Sequence, residues 1–234
     1  MEELFSCCPV LEDLSINGTP GQYGDEGVLN FTVSAPELKT LKVHWYRHGV
    51  VEKCNFHVVA PKLENFHILQ YPSTECYLEN AKSLVRVTIA LQYHFADEDR
   101  LFALRGTTLF AGISNDFKCP GASSNHEWSP PDSVPICLLT HLKTISIRGF
   151  RGKQDEMDAA KYLLMNGEVL KNMTFYSEDL SFFGLHNEDA SLTKEEEIYQ
   201  ELSLCKWGSK TCQVEFYGDQ KDDVWSLLGL RSWF

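Results

Sequence analysis

The side chains able to do chemistry in this chain are scattered rather than gathered. His44 and His48 stand four residues apart, a spacing that on a helix would aim both imidazoles at one metal ion. Leu41 to Val43, however, reads as a strand running into them, and no partner cluster of Cys or Asp lies nearby. Cys7-Cys8 is a vicinal pair and not Cys-x-x-Cys, so packing in a core or turn is its expected role. A nucleophilic pair could be assembled from Cys119 or Cys137 with His126 or His141, yet no Gly-rich oxyanion turn flanks any of them. The acidic runs Asp97-Glu98-Asp99 and Glu195-Glu196-Glu197 read as solvated helix starts rather than paired acid and base. Gly149-Phe150-Arg151-Gly152 is too short for a phosphate loop and lacks the Gly-Lys-Ser/Thr ending. The expectation is no cofactor, no metal and no enzyme. The alternative is a hydrolase or transferase with a site in the segment Phe117 to Pro135.

A regular polar surface is better supported, because a phrase repeats. Pro9-Val-Leu-Glu-Asp-Leu-Ser-Ile16, Pro36-Glu-Leu-Lys-Thr-Leu-Lys-Val43 and Pro61-Lys-Leu-Glu-Asn-Phe-His-Ile68 all read Pro-x-Leu-x-x-Leu/Phe-x-Ile/Val. Lys82 to Ile89 and Thr140 to Ile147 repeat it without the proline. Leu14, Leu41, Phe66, Val87 and Ile145 then share one position, with steps of 27, 25, 21 and 58. The first three are leucine-rich-repeat lengths; the last is close to two repeats with a degraded one between. In such a strand the apolar residues turn inward and those between them face the concave side. Two columns follow: Asp13, Thr40, Asn65, Arg86, Thr144, and Ser15, Lys42, His67, Thr88, Ser146. They are the candidate protein-binding residues; the competing reading makes them ordinary soluble surface.

Positioning those columns takes a stack of short parallel strands. The predicted inward sets are Leu11/Leu14/Ile16, Leu38/Leu41/Val43, Leu63/Phe66/Ile68, Leu84/Val87/Ile89 and Leu142/Ile145/Ile147. Strand-like stretches at Val28 to Val33 and Cys54 to Val59, each ending at Ala-Pro, place a second strand on the other side of the coil. An ordinary antiparallel sheet is the competing fold. Between Phe95 and Val134 the pattern weakens, with a short helix over Asp97 to Leu104 and a weak strand over Thr108 to Ile113. Phe117 to Pro135, with Pro120, Pro130, Pro131 and Pro135, reads as a linker loop.

The rhythm changes from Leu142. A strand over Thr144 to Arg148 leads to a helix with Met157, Ala160, Leu163 and Leu164 on one face and Asn166-Gly167 as its stop. A strand over Asn172 to Tyr176 completes a strand-helix-strand unit. Thr193 with Glu196 is a capping-box signature for a helix over Lys194 to Leu204, and a last strand spans Thr211 to Phe216.

The 234 residues are enough for one large or two small domains, and 43% hydrophobic content is enough for a core. A net charge of −12 argues against nucleic acid and anionic membrane surfaces as partners. Met1 to Phe5 lacks the pattern of a secretory signal and no run is long enough to span a membrane, so an intracellular protein, of cytoplasm or nucleus, is expected. The eight cysteines then read as small hydrophobes rather than disulfide partners, and the glycosylation sequons at Asn17, Asn30 and Asn172 as incidental.

Leu142-Lys-Thr-Ile-Ser-Ile-Arg-Gly-Phe-Arg-Gly152, Glu156, Ala160-Lys-Tyr-Leu-Leu164, Val169-Leu-Lys-Asn-Met173 and Gly208-Ser-Lys-Thr-Cys-Gln-Val-Glu-Phe216 resemble the FBD domain that closes plant F-box/leucine-rich-repeat proteins. The upstream Cys-Pro-x-Leu-Glu-x-Leu and Ala-Pro-x-Leu phrases resemble the repeats of that family. The resemblance implies an α/β fold: a leucine-rich-repeat-like solenoid of short parallel strands over 1–116, a linker over 117–135, an FBD strand-helix-strand module over 136–217 and a tail over 218–234. It implies the substrate-recognition half of a ubiquitin-ligase receptor, a non-enzymatic scaffold for an unknown protein partner. Members usually begin with an F-box, whereas this sequence starts inside a repeat at Met1, so direct binding of the adaptor or cullin is not expected. Trp207 stands where the family usually has Arg before Gly-Ser.

Overall fold

A computed structural model describes residues 2–4, 8–18, 29–45, 54–70, 74–79, 81–91, 130, 133–177 and 188–218. Strands come first and in pairs: β1 (Glu2–Leu4) and β2 (Asp13–Gly18), β3 (Leu29–Ser34) and β4 (Thr40–Trp45), β5 (Cys54–Val59) and β6 (Asn65–Gln70), β7 (Thr74–Glu79) and β8 (Arg86–Leu91). Helix-strand pairs follow: α1 (Ile136–Thr140) and β9 (Thr144–Phe150), α2 (Gln154–Asn166) and β10 (Asn172–Ser177), α3 (Glu188–Ser203) and β11 (Gln213–Gly218). Odd strands β1-β3-β5-β7 make a four-stranded sheet, and β2-β4-β6-β8-β9-β10-β11 make a seven-stranded one. Every pairing is parallel. An antiparallel sheet is therefore excluded for these strands, and the α/β stack is compatible with a leucine-rich-repeat-like solenoid.

Each rung is made by the repeating phrase. The N–H of the first phrase leucine closes a turn on the residue three before it, as in Leu38 to the Ala35 carbonyl (3.2 Å) and Leu63 to that of Ala60 (3.1 Å). Proline pre-sets φ at the second position of that turn, and the small Ala35 and Ala60 before it are buried. The chain then enters the large sheet through one recurring bond pattern. The Glu12 carbonyl accepts the N–H groups of Lys39 and Thr40, that of Lys39 accepts Glu64 and Asn65, and that of Glu64 accepts Val85 and Arg86. Val85 continues it to Lys143 and Thr144, and Lys143 to Lys171 and Asn172.

That ladder corrects one expectation. β8 pairs directly with β9, Arg86 opposite Thr144, so the 58-residue step adds no strand between them and counts as one rung. The helix predicted over Asp97 to Leu104, the strand over Thr108 to Ile113 and most of the segment 117–135 lie outside the described residues. β7, which sequence pattern did not show, backs the fourth rung as β3 and β5 back the second and third.

The core lies between the two layers. Leu41, Phe66 and Ile145 are fully buried with their phrase partners, and β3 and β5 contribute Phe31 and Phe56, stacked at 5.2 Å. The first rung departs from expectation: Leu11, Leu14 and Ile16 are only partly buried, because β2 ends the sheet and packs against a neighbour on one side. In the later rungs α2 buries the predicted face, Met157, Ala160, Leu163 and Leu164. Its start is held by Glu156, whose carboxylate accepts the N–H groups of Arg151 (2.8 Å) and Lys153 (3.3 Å). α3 begins at Glu188, upstream of the predicted cap at Thr193. Trp207 is a local fastener here, its indole N–H donating to the Leu202 carbonyl at 2.9 Å.

Strict alternation fails once, at Gly149. Tyr176 pairs with Arg148 but Ser177 with Phe150, so Gly149 is an extra residue, a bulge with φ of 74° that favours glycine. The bulge turns Phe150 inward, where its ring lies 4.4 Å from Phe175, which in turn stacks on Phe216 at 5.1 Å.

Candidate protein-interaction face

The seven-stranded sheet presents one face to the core and the other outward, and parallel register sorts the outward residues into rows. Asp13, Thr40, Asn65, Arg86 and Thr144 lie opposite one another strand by strand, as do Ser15, Lys42, His67, Thr88 and Ser146. All ten candidate residues are thus brought onto one face in two unbroken rows. Sequence reasoning stopped both rows too early: Asn172 and Gln213 extend the first, Thr174 and Glu215 the second. Alternation could have found them, since Met173 and Phe175 point inward and leave Thr174 and Tyr176 on the other side. At about 4.8 Å per strand, seven strands span about 29 Å.

A third row was missed altogether: Asn17, His44, Leu69, Ala90, Arg148, Tyr176 and Tyr217. It lies beyond the last apolar residue of each phrase, where the repeat signal ends. His44, one of the two histidines at metal-like spacing, sits here on β4, while His48 lies outside the described residues. Its Nδ1 is 2.9 Å from the Asn17 Oδ1, which can only accept, so Nδ1 carries the proton. Burial, then the nearby Lys42 ammonium and His67, push His44 down to about 4. His67 is lowered too, by burial and then by Lys42. Both imidazoles are neutral at pH 7. At the other end of the row the Arg148 guanidinium lies 4.2 Å over the Tyr176 ring, and Tyr176 stacks on Tyr217 at 5.6 Å.

Reactive groups do not converge among the described residues. Burial raises the Cys137 thiol to about 11, which keeps it protonated, and His141 is a neighbour of Thr140, 2.6 Å from its hydroxyl. Cys119 and His126 lie outside the described residues. No group of three His, Cys, Asp or Glu is placed to hold a metal among the described residues, and no helix there is long and apolar enough to cross a membrane.

The fold is an α/β stack of parallel rungs that carries a broad polar sheet face. The FBD family model matches residues 130–175, which hold α1, β9, α2 and most of β10. A probable FBD-associated F-box protein of Arabidopsis thaliana is 25% identical over 91% of this chain and 59% of its own length. An F-box/FBD/LRR-repeat protein of the same plant is 33% identical over 91% of this chain and 58% of its own. A putative F-box/FBD/LRR-repeat protein reaches 45% identity over 76% of this chain and 52% of that relative. Residues 130–175 thus carry an FBD domain, and most of the chain is similar to plant F-box/FBD/LRR-repeat proteins. The chain spans somewhat over half the length of these relatives, and no solved structure matches it.

Proposed function

We propose that this chain is a non-enzymatic protein-interaction scaffold, the substrate-recognition part of an F-box-type ubiquitin-ligase receptor acting in the cytoplasm or nucleus. On this reading the leucine-rich-repeat-like region over 1–116 and the FBD module over 136–217 work as one surface. The observation that carries it is the register of the large sheet, which lines up polar side chains from seven strands while their apolar neighbours face the core. Relatives named as F-box proteins support the receptor role.

The test is an affinity pull-down from plant extract with mass spectrometry, comparing the native chain with Lys42→Glu/His67→Glu/Arg86→Glu. The triple variant should lose the specific partner while its melting temperature shows that it folds. Lys82→Glu/Lys206→Glu, at exposed lysines outside the strands, should keep it. Loss in the second variant with retention in the first removes the concave rows as the working surface.

A further inference from the structure

We infer that the middle of this face is a docking surface for an extended acidic peptide, whose carboxylates meet Lys42, Arg86 and Arg148. The inference rests on the face being the working surface and adds the chemistry of what it takes.

The charge distribution carries it. The chain has a net charge of −12, yet β4, β6, β8, β9 and β10 contain no Asp or Glu, while each of β4, β8 and β9 places one cation outward. The carboxylates of the two rows, Asp13 and Glu215, stand on the outermost strands β2 and β11. The opposite sheet has the reverse sign, with Glu75 and Glu79 on β7 and no Lys or Arg on β3, β5 or β7.

Elsewhere the chain neutralises cations between rungs: Lys39 meets Glu12 at 2.8 Å, Lys62 meets Glu37 at 2.6 Å and Lys161 meets Glu201 at 2.6 Å. Lys42 and Arg86 have no carboxylate partner among the described residues. Two unneutralised cations on the middle strands, which hold no Asp or Glu, make a local positive field within an acidic protein, and fields of that size act over roughly a Debye length, about 8 Å.

Geometry selects an extended chain. Lys42 and Arg86 lie two strands apart and two residues out of register, about 12 Å, and Arg148 lies on the strand next to Arg86, four residues further along, about 14 Å. Carboxylates on alternate residues of an extended peptide recur about every 6.6 Å, within the compass of these long side chains. Beyond Arg148 the stacked Tyr176 and Tyr217, the latter 48% exposed, give one large apolar side chain a seat of the residue type that anchors interfaces. A nucleic acid is disfavoured because its dense charge extends past this patch into the field of the other, acidic surfaces.

The probe is a fluorescein-labelled twelve-residue peptide alternating Glu and Gly and ending in Phe, followed by fluorescence anisotropy with the whole chain. The same peptide with Gln for Glu, one with Lys for Glu, and a twelve-nucleotide oligo-dT are run beside it. Saturable binding of the Glu peptide alone is expected, weakening with salt. Lys42→Gln/Arg86→Gln should weaken it roughly fivefold, the yield of two exposed ion pairs, and Lys82→Gln/Lys206→Gln less than about twofold. Equal binding of the Gln peptide, equal loss in the control variant, or tighter binding of oligo-dT overturns the inference. The underlying reading fails separately. If the pull-down partner is lost with the Glu triple variant while the Glu peptide never binds, the face works but not through an acidic ligand.

Discussion

His44 gives a test of the packing on the outward face that needs no partner. In the folded chain it is 3% exposed, donates to Asn17 and titrates near 4 rather than at 6.5. A depressed histidine binds its proton in the unfolded chain first, so stability is fully present above pH 6.5 and falls as the pH drops from 6.5 towards 4. Linkage between these two values makes the chain about 2 kcal/mol less stable at pH 5 than at pH 7.5 from this residue alone. Urea unfolding followed by circular dichroism across that range measures it. His44→Gln keeps an amide able to donate to Asn17 but cannot titrate, so its stability should fall less on acidification, by about that same 2 kcal/mol. The lowered His67 leaves a smaller residual slope of the same sign in the variant. Equal slopes in the two proteins would refute the reasoning, and would mean that His44 is protonated as easily folded as unfolded.

Two further outcomes test the later rungs. Phe175 is fully buried between Phe150 and Phe216, so Phe175→Ala should destabilise by about 3–5 kcal/mol in urea unfolding, and a loss under about 1 kcal/mol would deny it a core role. Gly149→Ala should cost about 1–2 kcal/mol because of the left-handed bulge, with Gly149→Asn milder; a neutral Ala would mean the bulge relaxes without strain.

Where the sequence repeats a phrase, it announces its fold. Pro-x-Leu-x-x-Leu-x-Ile encodes both the turn and the alternation of one strand, and β2, β4, β6, β8 and β9 all begin two residues after its first leucine. β7 stayed hidden because Thr74–Glu79 carries charges at Glu75 and Glu79 and lacks the Ala-Pro ending of its neighbours. The start of α3 was misjudged because a good local cap at Thr193 outranked the acidic residues before it. The two polar rows were legible because strand alternation is strict within each phrase. Their third companion was not, since His44, Arg148, Tyr176 and Tyr217 lie past the point where the phrase stops repeating. The bulge at Gly149 is a departure from alternation, and a pattern built on alternation has no means of placing it. Which side of 58 residues to count as a rung was likewise settled only by the pairing of Arg86 with Thr144.

The change of backing layer, from β3, β5 and β7 to α1, α2 and α3, has a consequence for shape. Strands repeat at about 4.8 Å on either side of a rung, so strand-backed rungs stack without a wedge. Helices need about 8–10 Å between axes, while the strands in front of them still repeat at about 4.8 Å. Over a layer separation of about 10 Å that mismatch bends the stack by roughly 20–30° per helical rung. The first part of the face is therefore nearly straight and its far end curls, so a straight ligand lying over Lys42 and Arg86 runs into the rising wall of Arg148, Tyr176 and Tyr217. On the proposed reading, that bending, and any stop it sets for a ligand's register, would come from the helices behind the face rather than from residues on it.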